Sequence, residues 1–358
     1  MYNVFIDGKE GTTGLKIFER FAKRNDIQII TIDDEKRKDP AEKQKCINAS
    51  DFTFLCLPDA AAIESAQLCT NPNTKIIDAS TAHRTNPDWA YGFPELSKEF
   101  RSKIQSSNRV AVPGCYASGF NSLCYPMRKS GFMNADYPVV SHAVSGYSGA
   151  GKKAIAVYES SEKPVEFESP RMYALTQGHK HLPEMKKVSM LDFEPVFDPY
   201  VCDYFSGMTV TIPIFTRLLS KKVSAKDIHS MFKEHYADSH FVEVMPFQGE
   251  GILETPFIPA NTLSGTNNMH IYITGNDDRV ILTSQFDNLG KGASGAAVQC
   301  MNIMMGIDES ISLESGGASF RTPHCHSGLD PESLSPTRRA VERHSGPDPE
   351  SLSATRRS

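Results

Sequence analysis

The sequence predicts an α/β protein in which a doubly wound, mostly parallel sheet is followed by an α+β domain with a mixed or antiparallel sheet. In the first third, short apolar segments alternate with segments of helical periodicity, which is typical of βαβ units. Beyond residue 139 the apolar segments are longer and β-branched, with few helices between them, which favours antiparallel pairing. With 358 residues, 39% of them hydrophobic, the chain is long enough for two such domains.

The two predicted domains meet at residue 115. The first covers 1–114, with a helix over 13–24, and its strands are expected at 2–7, 27–32, 51–57, 75–80 and 109–114. The second covers 115–287, with a helix over 224–236, and its strands are expected at 138–147, 206–215, 268–275 and 279–286. These long strands also predict a homo-oligomer, a dimer or tetramer, through contact between sheets.

Two segments follow the second domain. In 288–313, small and apolar residues recur at helical spacing, which predicts a buried helix that packs back on the first domain. In 314–358 an 18-residue unit that begins at His326 is repeated in part from His344. Two polar copies cannot form a solenoid, so we expect a disordered appendage. A translated repetitive element or frameshifted extension explains it better than an interaction tail.

Composition excludes several classes of function. A formal net charge of −5 provides no extended cationic surface for nucleic acid. The sequence has no secretory signal and no run of about 18 apolar residues, so a cytoplasmic protein without a membrane partner is expected. Its eight cysteines include no CxxC pair, which argues against both a disulfide scaffold and a zinc site.

Three glycines follow the first predicted strand. Gly8, Gly11 and Gly14 lie at intervals of three, with Thr12 and Thr13 between them, and a predicted helix begins there. Glycine in a first βα turn lets the backbone approach a pyrophosphate, which the helix N-terminus attracts. The turn therefore predicts dinucleotide binding, although GxxGxxG departs from the GxGxxG pattern and a simple glycine-rich turn stays open.

A charged loop, DDEKRKDP at 33–40, follows the second strand. Its acids could bind a ribose hydroxyl, whereas Lys36, Arg37 and Lys38 could bind a 2′-phosphate. The basic residues favour NADP as the cofactor. A solvated charged loop is the alternative.

Cys115 is the predicted nucleophile. It follows a strand and begins a helix that runs through 120–128. A helix N-terminus lowers the pKa of a thiol and offers N–H groups to an oxyanion, so we expect a reactive thiolate. The other cysteines, such as Cys56 within a predicted strand, have no comparable setting.

The segment GHKHLPE at 178–184 supplies candidate partners for that thiolate: His179, His181 and Glu184. A cysteine and a histidine far apart in sequence but adjacent in space is the usual arrangement for this chemistry. The HxH pair lacks further ligands at a convincing spacing, so no metal is predicted. Spacing alone does not distinguish His179 from His181 as the proton donor.

Four motifs together resemble the N-acetyl-gamma-glutamyl-phosphate reductase family, especially its shorter form: PGCY at 113–116, GHKHLPE at 178–184, IDASTAHR at 77–84 and NLGKGASGAAVQ at 288–299. The resemblance covers nearly all of 1–313. It implies reduction of N-acetyl-glutamyl 5-phosphate by NADPH to the 5-semialdehyde, with release of phosphate, in arginine biosynthesis.

The resemblance also implies roles for individual residues. Cys115 matches the nucleophile, His179 the acid and base, and His181 and Glu184 its supporting neighbours. Arg84 matches an arginine that faces the substrate phosphate, to which its planar guanidinium is suited. His83 departs from the hydrophobic residue common before that arginine. The residues that could contact the cofactor or substrate are Ser80, Ser145, Gly146, Ser148, Asn288 and Lys291.

Two other functions remain open at this stage. Aspartate-semialdehyde dehydrogenase shares the domain order, the cysteine and the C-terminal helix, but PGCY followed by HKHLPE argues against it. A catalytically silent dinucleotide-binding sensor would be expected to lack Cys115 or the histidines, and none is missing.

Overall fold

The computed structural model describes residues 1–253 and 256–313, so the predicted appendage at 314–358 lies outside the described residues. The first sheet has six strands in the order β2-β1-β3-β4-β6-β5, and every neighbouring pair is parallel. Its strands are β1 (Tyr2–Asp7), β2 (Ile27–Ile30), β3 (Phe52–Leu55), β4 (Lys75–Asp78), β5 (Ala90–Tyr91) and β6 (Arg109–Ala111). The helices between them are α1 (Thr12–Phe21), α2 (Pro40–Ala49), α3 (Asp59–Gln67) and α4 (Lys98–Ser106).

The second sheet has seven strands in the order β11-β12-β13-β10-β7-β9-β8. Pairs β7–β9 and β11–β12 are parallel and the other four pairs are antiparallel, so the sheet is mixed. Its strands are β7 (Val140–Gly146), β8 (Arg171–Met172), β9 (Val196–Cys202), β10 (Met208–Phe215), β11 (Val242–Val244), β12 (Met269–Gly275) and β13 (Arg279–Phe286). The predicted fold class, a parallel doubly wound sheet followed by an α+β domain, is confirmed.

Helix α5 (Cys115–Lys129) covers the inner face of the second sheet. Every residue from Tyr116 to Met127 is buried, because the helix packs against β10 and β13. The second domain also contains α6 (Lys152–Tyr158), α7 (Leu182–Val188) and α8 (Ala225–His235), of which α7 and α8 contact α5. The core formed there, which includes Phe120, Phe197 and Phe232, fixes the start of α5.

Helix α9 (Gly295–Met305) follows a π-helical turn at Gly290–Ser294. It contributes Ala297, Val298 and Met301 to the same apolar cluster as Ile17 and Phe21 of α1. The chain thus returns to the first sheet after completing the second. In 1–253 and 256–313, the helices are all too short or too polar to cross a bilayer.

Candidate active site

Cys115 is the first residue of α5 and lines two cavities. The larger, of about 320 Å³, is also lined by Arg84, His179 and His181, and we call it the Cys115 cavity. The other, of about 290 Å³, is lined by Ser145 and also by His179, and we call it the Ser145 cavity. The predicted nucleophile and both predicted histidines are therefore brought together.

The electrostatics of Cys115 differ from the sequence-based expectation. Burial raises the pKa of the Cys115 thiol to about 11, against the opposing effects of the Tyr116 N–H group and Arg84. The helix N-terminus does stabilise a thiolate, but less than burial destabilises it. The expected low pKa was wrong, since the sequence shows where a helix begins and not how deeply that end is buried.

His179 and His181 differ in their surroundings. Burial, followed by the charges of Lys180 and Arg84, lowers the pKa of His179 to about 4. His181 is more deeply buried, and its pKa is lowered well below the usual value, also mainly by burial. The backbone N–H of His181 donates to Nδ1 of His179 at 3.1 Å. Neutral His179 therefore carries its proton on Nε2.

Arg84 and Glu184 form a buried ion pair beside these histidines. Nη1 of Arg84 donates to Oε1 of Glu184 at 2.9 Å, while Nε donates to the carbonyl of Val112 and Nη2 to that of Ala79. These bonds use three of the five guanidinium hydrogens. Burial raises the pKa of Glu184, and Arg84 is the largest opposing influence. Within the described structure, two N–H groups of Arg84 remain for a ligand in the Cys115 cavity.

The predicted dinucleotide turn has the geometry that a pyrophosphate needs. Gly8 has φ +89°, and a Cβ there would overlap the carbonyl of Cys56. Helix α1 begins after Gly11 with no side-chain cap among the described residues, so its first N–H groups are available to an anion. Gly11, Thr12 and Thr13 line the Cys115 cavity. These residues would hold the pyrophosphate of a dinucleotide, in a cavity that Cys115 also lines.

A third cavity, of about 320 Å³, lies next to this turn between β1 and the end of β2, and we call it the Arg37 cavity. It is lined by Gly8, Arg37 and Lys38. Lys36 does not line it and instead lies 4.0 Å from Asp33. Of the three basic residues predicted to bind a 2′-phosphate, Arg37 and Lys38 therefore face this cavity, whereas Lys36 does not.

Residues from the second sheet complete the walls around Cys115. Ser145 and Gly146, at the end of β7, line the Ser145 cavity. Ser148 and Asn288 line the Cys115 cavity, where Nδ2 of Asn288 donates to Oγ of Ser148 at 2.9 Å. Oδ1 of Asn288 accepts from the N–H of Gly207 at 2.9 Å. Asn288 thus joins three separate segments of chain.

Ser80 and Lys291, which were also predicted to contact the cofactor, are placed elsewhere. Oγ of Ser80 donates to Asp78 at 2.7 Å, and Ser80 lines none of the three cavities. Nζ of Lys291 is 2.7 and 2.8 Å from the two carboxylate oxygens of Glu95, with a side chain only 1% exposed. The ammonium group of Lys291 is therefore turned away from the Cys115 cavity.

The chain matches known proteins on both sides of Cys115. Residues 3–104 match the semialdehyde dehydrogenase NAD binding domain, and residues 115–288 match the semialdehyde dehydrogenase dimerisation domain. An N-acetyl-gamma-glutamyl-phosphate reductase from Burkholderia lata is 43% identical over 309 residues, which cover 85% of this chain and 96% of that one. The chain belongs to the N-acetyl-gamma-glutamyl-phosphate reductase family.

Other members of this reductase family are equally similar. N-acetyl-gamma-glutamyl-phosphate reductase 2 from Pseudomonas putida is 42% identical and covers 85% of this chain and 96% of its own length. The enzyme of the same name from a Nostoc species is also 42% identical, with 87% and 98% covered. Because these proteins are covered almost completely, the family resemblance seen in the sequence motifs is confirmed.

Solved structures of aspartate semialdehyde dehydrogenases share the fold of this chain. The enzyme from Francisella tularensis has a TM-score of 0.63 at 15% identity and covers 85% of this chain and 100% of its own. Aspartate semialdehyde dehydrogenase II from Vibrio cholerae has a TM-score of 0.61 at 13% identity, with 85% and 98% covered. At this identity the likeness concerns the fold alone.

Sequence reasoning missed three residues of the candidate site. Tyr173 lines both cavities at Cys115. Cys56 lines the Cys115 cavity just beyond the end of β3, although the sequence suggested a buried strand residue, and burial raises the pKa of its thiol. Tyr91 donates to Glu184 from the edge strand of the first sheet. Tyr91 begins the segment YGFPEL at 91–96, but nothing in the sequence spacing connects this tyrosine to Glu184.

Proposed function

We propose that this chain reduces N-acetyl-glutamyl 5-phosphate to the 5-semialdehyde and inorganic phosphate with NADPH, in the cytoplasm, as a step of arginine biosynthesis. The observation that carries the proposal is the convergence of Cys115, His179 and Arg84 on one cavity that also borders the dinucleotide turn. This reaction needs a nucleophile, a hydrogen-bond donor to the oxyanion and a cationic group that binds phosphate, and Cys115, His179 and Arg84 would supply them in that order.

In the first step Sγ of Cys115 bonds to the acyl carbon, and the thiol proton passes to the departing phosphate oxygen. The carbon–oxygen bond to phosphate then breaks, and a thioester and inorganic phosphate result. The two free N–H groups of Arg84 would bind the departing phosphoryl oxygens. Because burial raises the pKa of the thiol, ionisation of Cys115 must accompany substrate binding and is not already complete in the free enzyme.

In the second step NADPH, when bound, supplies a hydride to the thioester carbon. The oxygen of that carbon becomes an oxyanion, which the Nε2–H group of His179 would stabilise as a donor. Collapse of this species releases the aldehyde and returns the thiolate of Cys115. The low pKa of His179 favours this role as a neutral donor over that of a preformed imidazolium.

The cavity walls favour an acylated amine over a free amine. Among the described residues that line the Cys115 and Ser145 cavities, there is no aspartate or glutamate. The α-ammonium group of an aspartyl substrate would enter without a counter-charge, whereas an acetamide is neutral. This difference supports an N-acetylated substrate and disfavours aspartate semialdehyde.

The proposal is tested in the oxidative direction with N-acetyl-glutamate semialdehyde, phosphate and NADP, and with aspartate semialdehyde as the competing substrate. We expect turnover with the first only. Cys115→Ser should abolish it, His179→Ala, which removes the Nε2–H donor, should slow it roughly 10²- to 10³-fold, and Cys56→Ser, in the same cavity, should retain it. Full turnover by the Cys115 variant would disprove the thioester route, and cofactor binding without any turnover would favour the sensor alternative.

We also propose a homo-oligomer that forms through the outer face of the second sheet. This face exposes Val140, Val196 and Ile281, and the match of 115–288 to a dimerisation domain supports contact with a second copy. Because apolar strand surface of this kind is costly to leave in water, light scattering should give a dimer or tetramer. A double variant, Val196→Lys with Ile281→Lys, should give monomers.

A further inference from the structure

Three buried side chains connect the nucleophile helix to the Arg84–Glu184 ion pair. The hydroxyl group of Tyr91 donates to Oε2 of Glu184 at 3.0 Å, and the same hydroxyl accepts from Nδ2 of Asn121 at 2.9 Å. Oδ1 of Asn121 accepts from Oγ of Ser189 at 2.8 Å. Tyr91 belongs to β5, Asn121 to α5, and Ser189 follows the last residue of α7.

The direction of donation along these bonds is fixed. Asn121 and Ser189 are each 0% exposed and Tyr91 is 7% exposed, so water does not replace the bonds. Ser189 donates to the amide oxygen of Asn121, which orients its amide nitrogen towards Tyr91. Because the amide N–H group of Asn121 donates to the oxygen of the Tyr91 hydroxyl, the hydroxyl proton points at Glu184.

Glu184 connects the hydroxyl group of Tyr91 to the guanidinium group of Arg84. Its Oε2 accepts from Tyr91 and its Oε1 from Nη1 of Arg84, so the two bonds fix both the position and the rotation of the carboxylate. The N–H of Gly114, next to the nucleophile, lies 3.3 and 3.4 Å from the same two oxygens. Loss of the Tyr91 bond would let the carboxylate turn and carry the guanidinium with it.

We propose that Tyr91, held by Asn121 and Ser189, is a positioning residue that fixes Glu184 and thereby aims the two free N–H groups of Arg84 at the phosphate end of the Cys115 cavity. The proposal rests on the proposed function only in taking a phosphoryl group as the ligand of Arg84. Tyr91 itself does not line the cavity, so its effect on a ligand must be transmitted through Glu184.

Tyr91→Phe tests this proposal, with Tyr236→Phe as the matched control. Tyr236 is also buried, and its hydroxyl donates to the carbonyl of Ser122 in α5 at 2.7 Å, without reaching Glu184. The probe is inorganic phosphate, whose Kd is measured by calorimetry on the full chain and whose KM is measured in semialdehyde oxidation. Tyr91→Phe should raise both values about 10-fold or more, as expected for a hydrogen bond to a charged group.

The KM for NADP should change less than about 3-fold in Tyr91→Phe, and Tyr236→Phe should leave the phosphate values unchanged although it also lowers the melting temperature. When Glu184 is already replaced by Gln, the further substitution Tyr91→Phe should raise the phosphate Kd little above that of Glu184→Gln alone. Should Tyr91→Phe not fold, Ser189→Ala replaces it, with a smaller rise expected.

Equal phosphate affinities in Tyr91→Phe and Tyr236→Phe would overturn the positioning role, as would a wild-type chain that does not bind phosphate. Additive effects of the Tyr91 and Glu184 substitutions would overturn it as well. If phosphate binds as expected but no semialdehyde is oxidised, the proposed function fails and the calorimetric comparison still decides the role of Tyr91.

Discussion

The N–H of His181 donates to Nδ1 of His179, and this single bond determines which nitrogen of His179 can face a substrate. An imidazole that accepts at Nδ1 keeps its proton on Nε2 while it is neutral. Burial lowers the pKa of His179 to about 4, so the neutral form prevails at physiological pH. The structure thus presents His179 as a hydrogen-bond donor that carries no charge.

Acid stability should report this buried neutral state. The usual pKa of 6.5 applies in the unfolded chain, where His179 takes up a proton more readily than in the folded one. The stability that the folded chain gains from keeping this ring neutral is therefore fully present above pH 6.5, and it is lost as the pH falls from 6.5 towards 4. In His179→Gln the loss of stability between pH 7 and pH 5, measured by urea unfolding, should be smaller by about 1 kcal/mol, because solvent screens part of the effect at this partly exposed ring.

The exposed His240 provides the comparison for that experiment. His240→Gln should leave the difference between pH 7 and pH 5 as it is in the wild type. His181 lies in the same cavity and its pKa is also lowered, so a remaining acid dependence is expected in the His179 variant. An unchanged difference in His179→Gln would contradict the low pKa.

Alkylation of Cys115 should show a steep dependence on pH. Because burial raises the pKa of this thiol to about 11, the thiolate fraction in the free enzyme grows about tenfold per pH unit from pH 7 to 10. The rate of iodoacetamide modification of the Cys115 peptide, followed by mass spectrometry, should grow in the same proportion. A rate that is already constant near pH 7 would show a preformed thiolate and contradict this expectation.

The sequence predicted the fold better than it predicted the electrostatics. Glycine spacing and apolar periodicity located the dinucleotide turn and both sheets, since local pattern and fold agree there. Strand β9 was not predicted because Asp198 and Pro199 interrupt its apolar pattern. In the structure its pairing with β7 on one side and β8 on the other holds it in the second sheet.

Side-chain direction and burial depend on tertiary contacts that spacing does not encode. Lys291 is three residues from Asn288, and the π-helical turn directs their side chains to different partners. The pKa of Cys115 likewise depends on the packing of the whole cavity and not on its position at a helix start. Motifs thus named the candidate site residues, whereas the direction and burial of each side chain required the structure.

Arg37 and Lys38 should determine the preference for NADP over NAD. Both line the Arg37 cavity, where a 2′-phosphate would meet their positive charges. Arg37→Ala with Lys38→Ala should raise the KM for NADP about 10-fold or more and leave the KM for NAD nearly unchanged. Lys36→Ala is the matched control because Lys36 lies in the same loop but outside this cavity. An equal effect of the control would contradict the assignment.

Lys291 should matter for stability more than for cofactor binding. Its ammonium is bonded to Glu95 and to Oε1 of Gln299 at 2.6 Å, in a region where its own side chain is 1% exposed. Lys291→Met would leave the buried carboxylate of Glu95 with the amide donor of Gln299 but without its counter-charge, so the free energy of unfolding should fall by about 3–5 kcal/mol. The Kd for NADP of the folded fraction, measured by fluorescence titration, should stay within about 3-fold of the wild-type value. A stable variant that has lost NADP binding would restore the predicted cofactor role of Lys291.

Gly114 should be essential for activity because two catalytic-site groups lie against its Cα. A Cβ at this position would overlap Nε2 of His181 and stand 2.5 Å from Nη1 of Arg84. Neither neighbour can yield without cost, since His181 is buried and a shift of Arg84 would strain its hydrogen bonds to Glu184, Val112 and Ala79. The backbone of Gly114, with φ −73°, suits any residue, so the effect of Gly114→Ala is steric. We expect a loss of at least about 100-fold in kcat/KM and about 1–3 kcal/mol in stability, measured by steady-state kinetics and urea unfolding.

Gly178→Ala is the control for this variant, because its Cβ would be an ordinary 3.4 Å from Thr176, and it should keep both values near the wild type. An active Gly114 variant would show that Arg84 and His181 can move without cost to turnover.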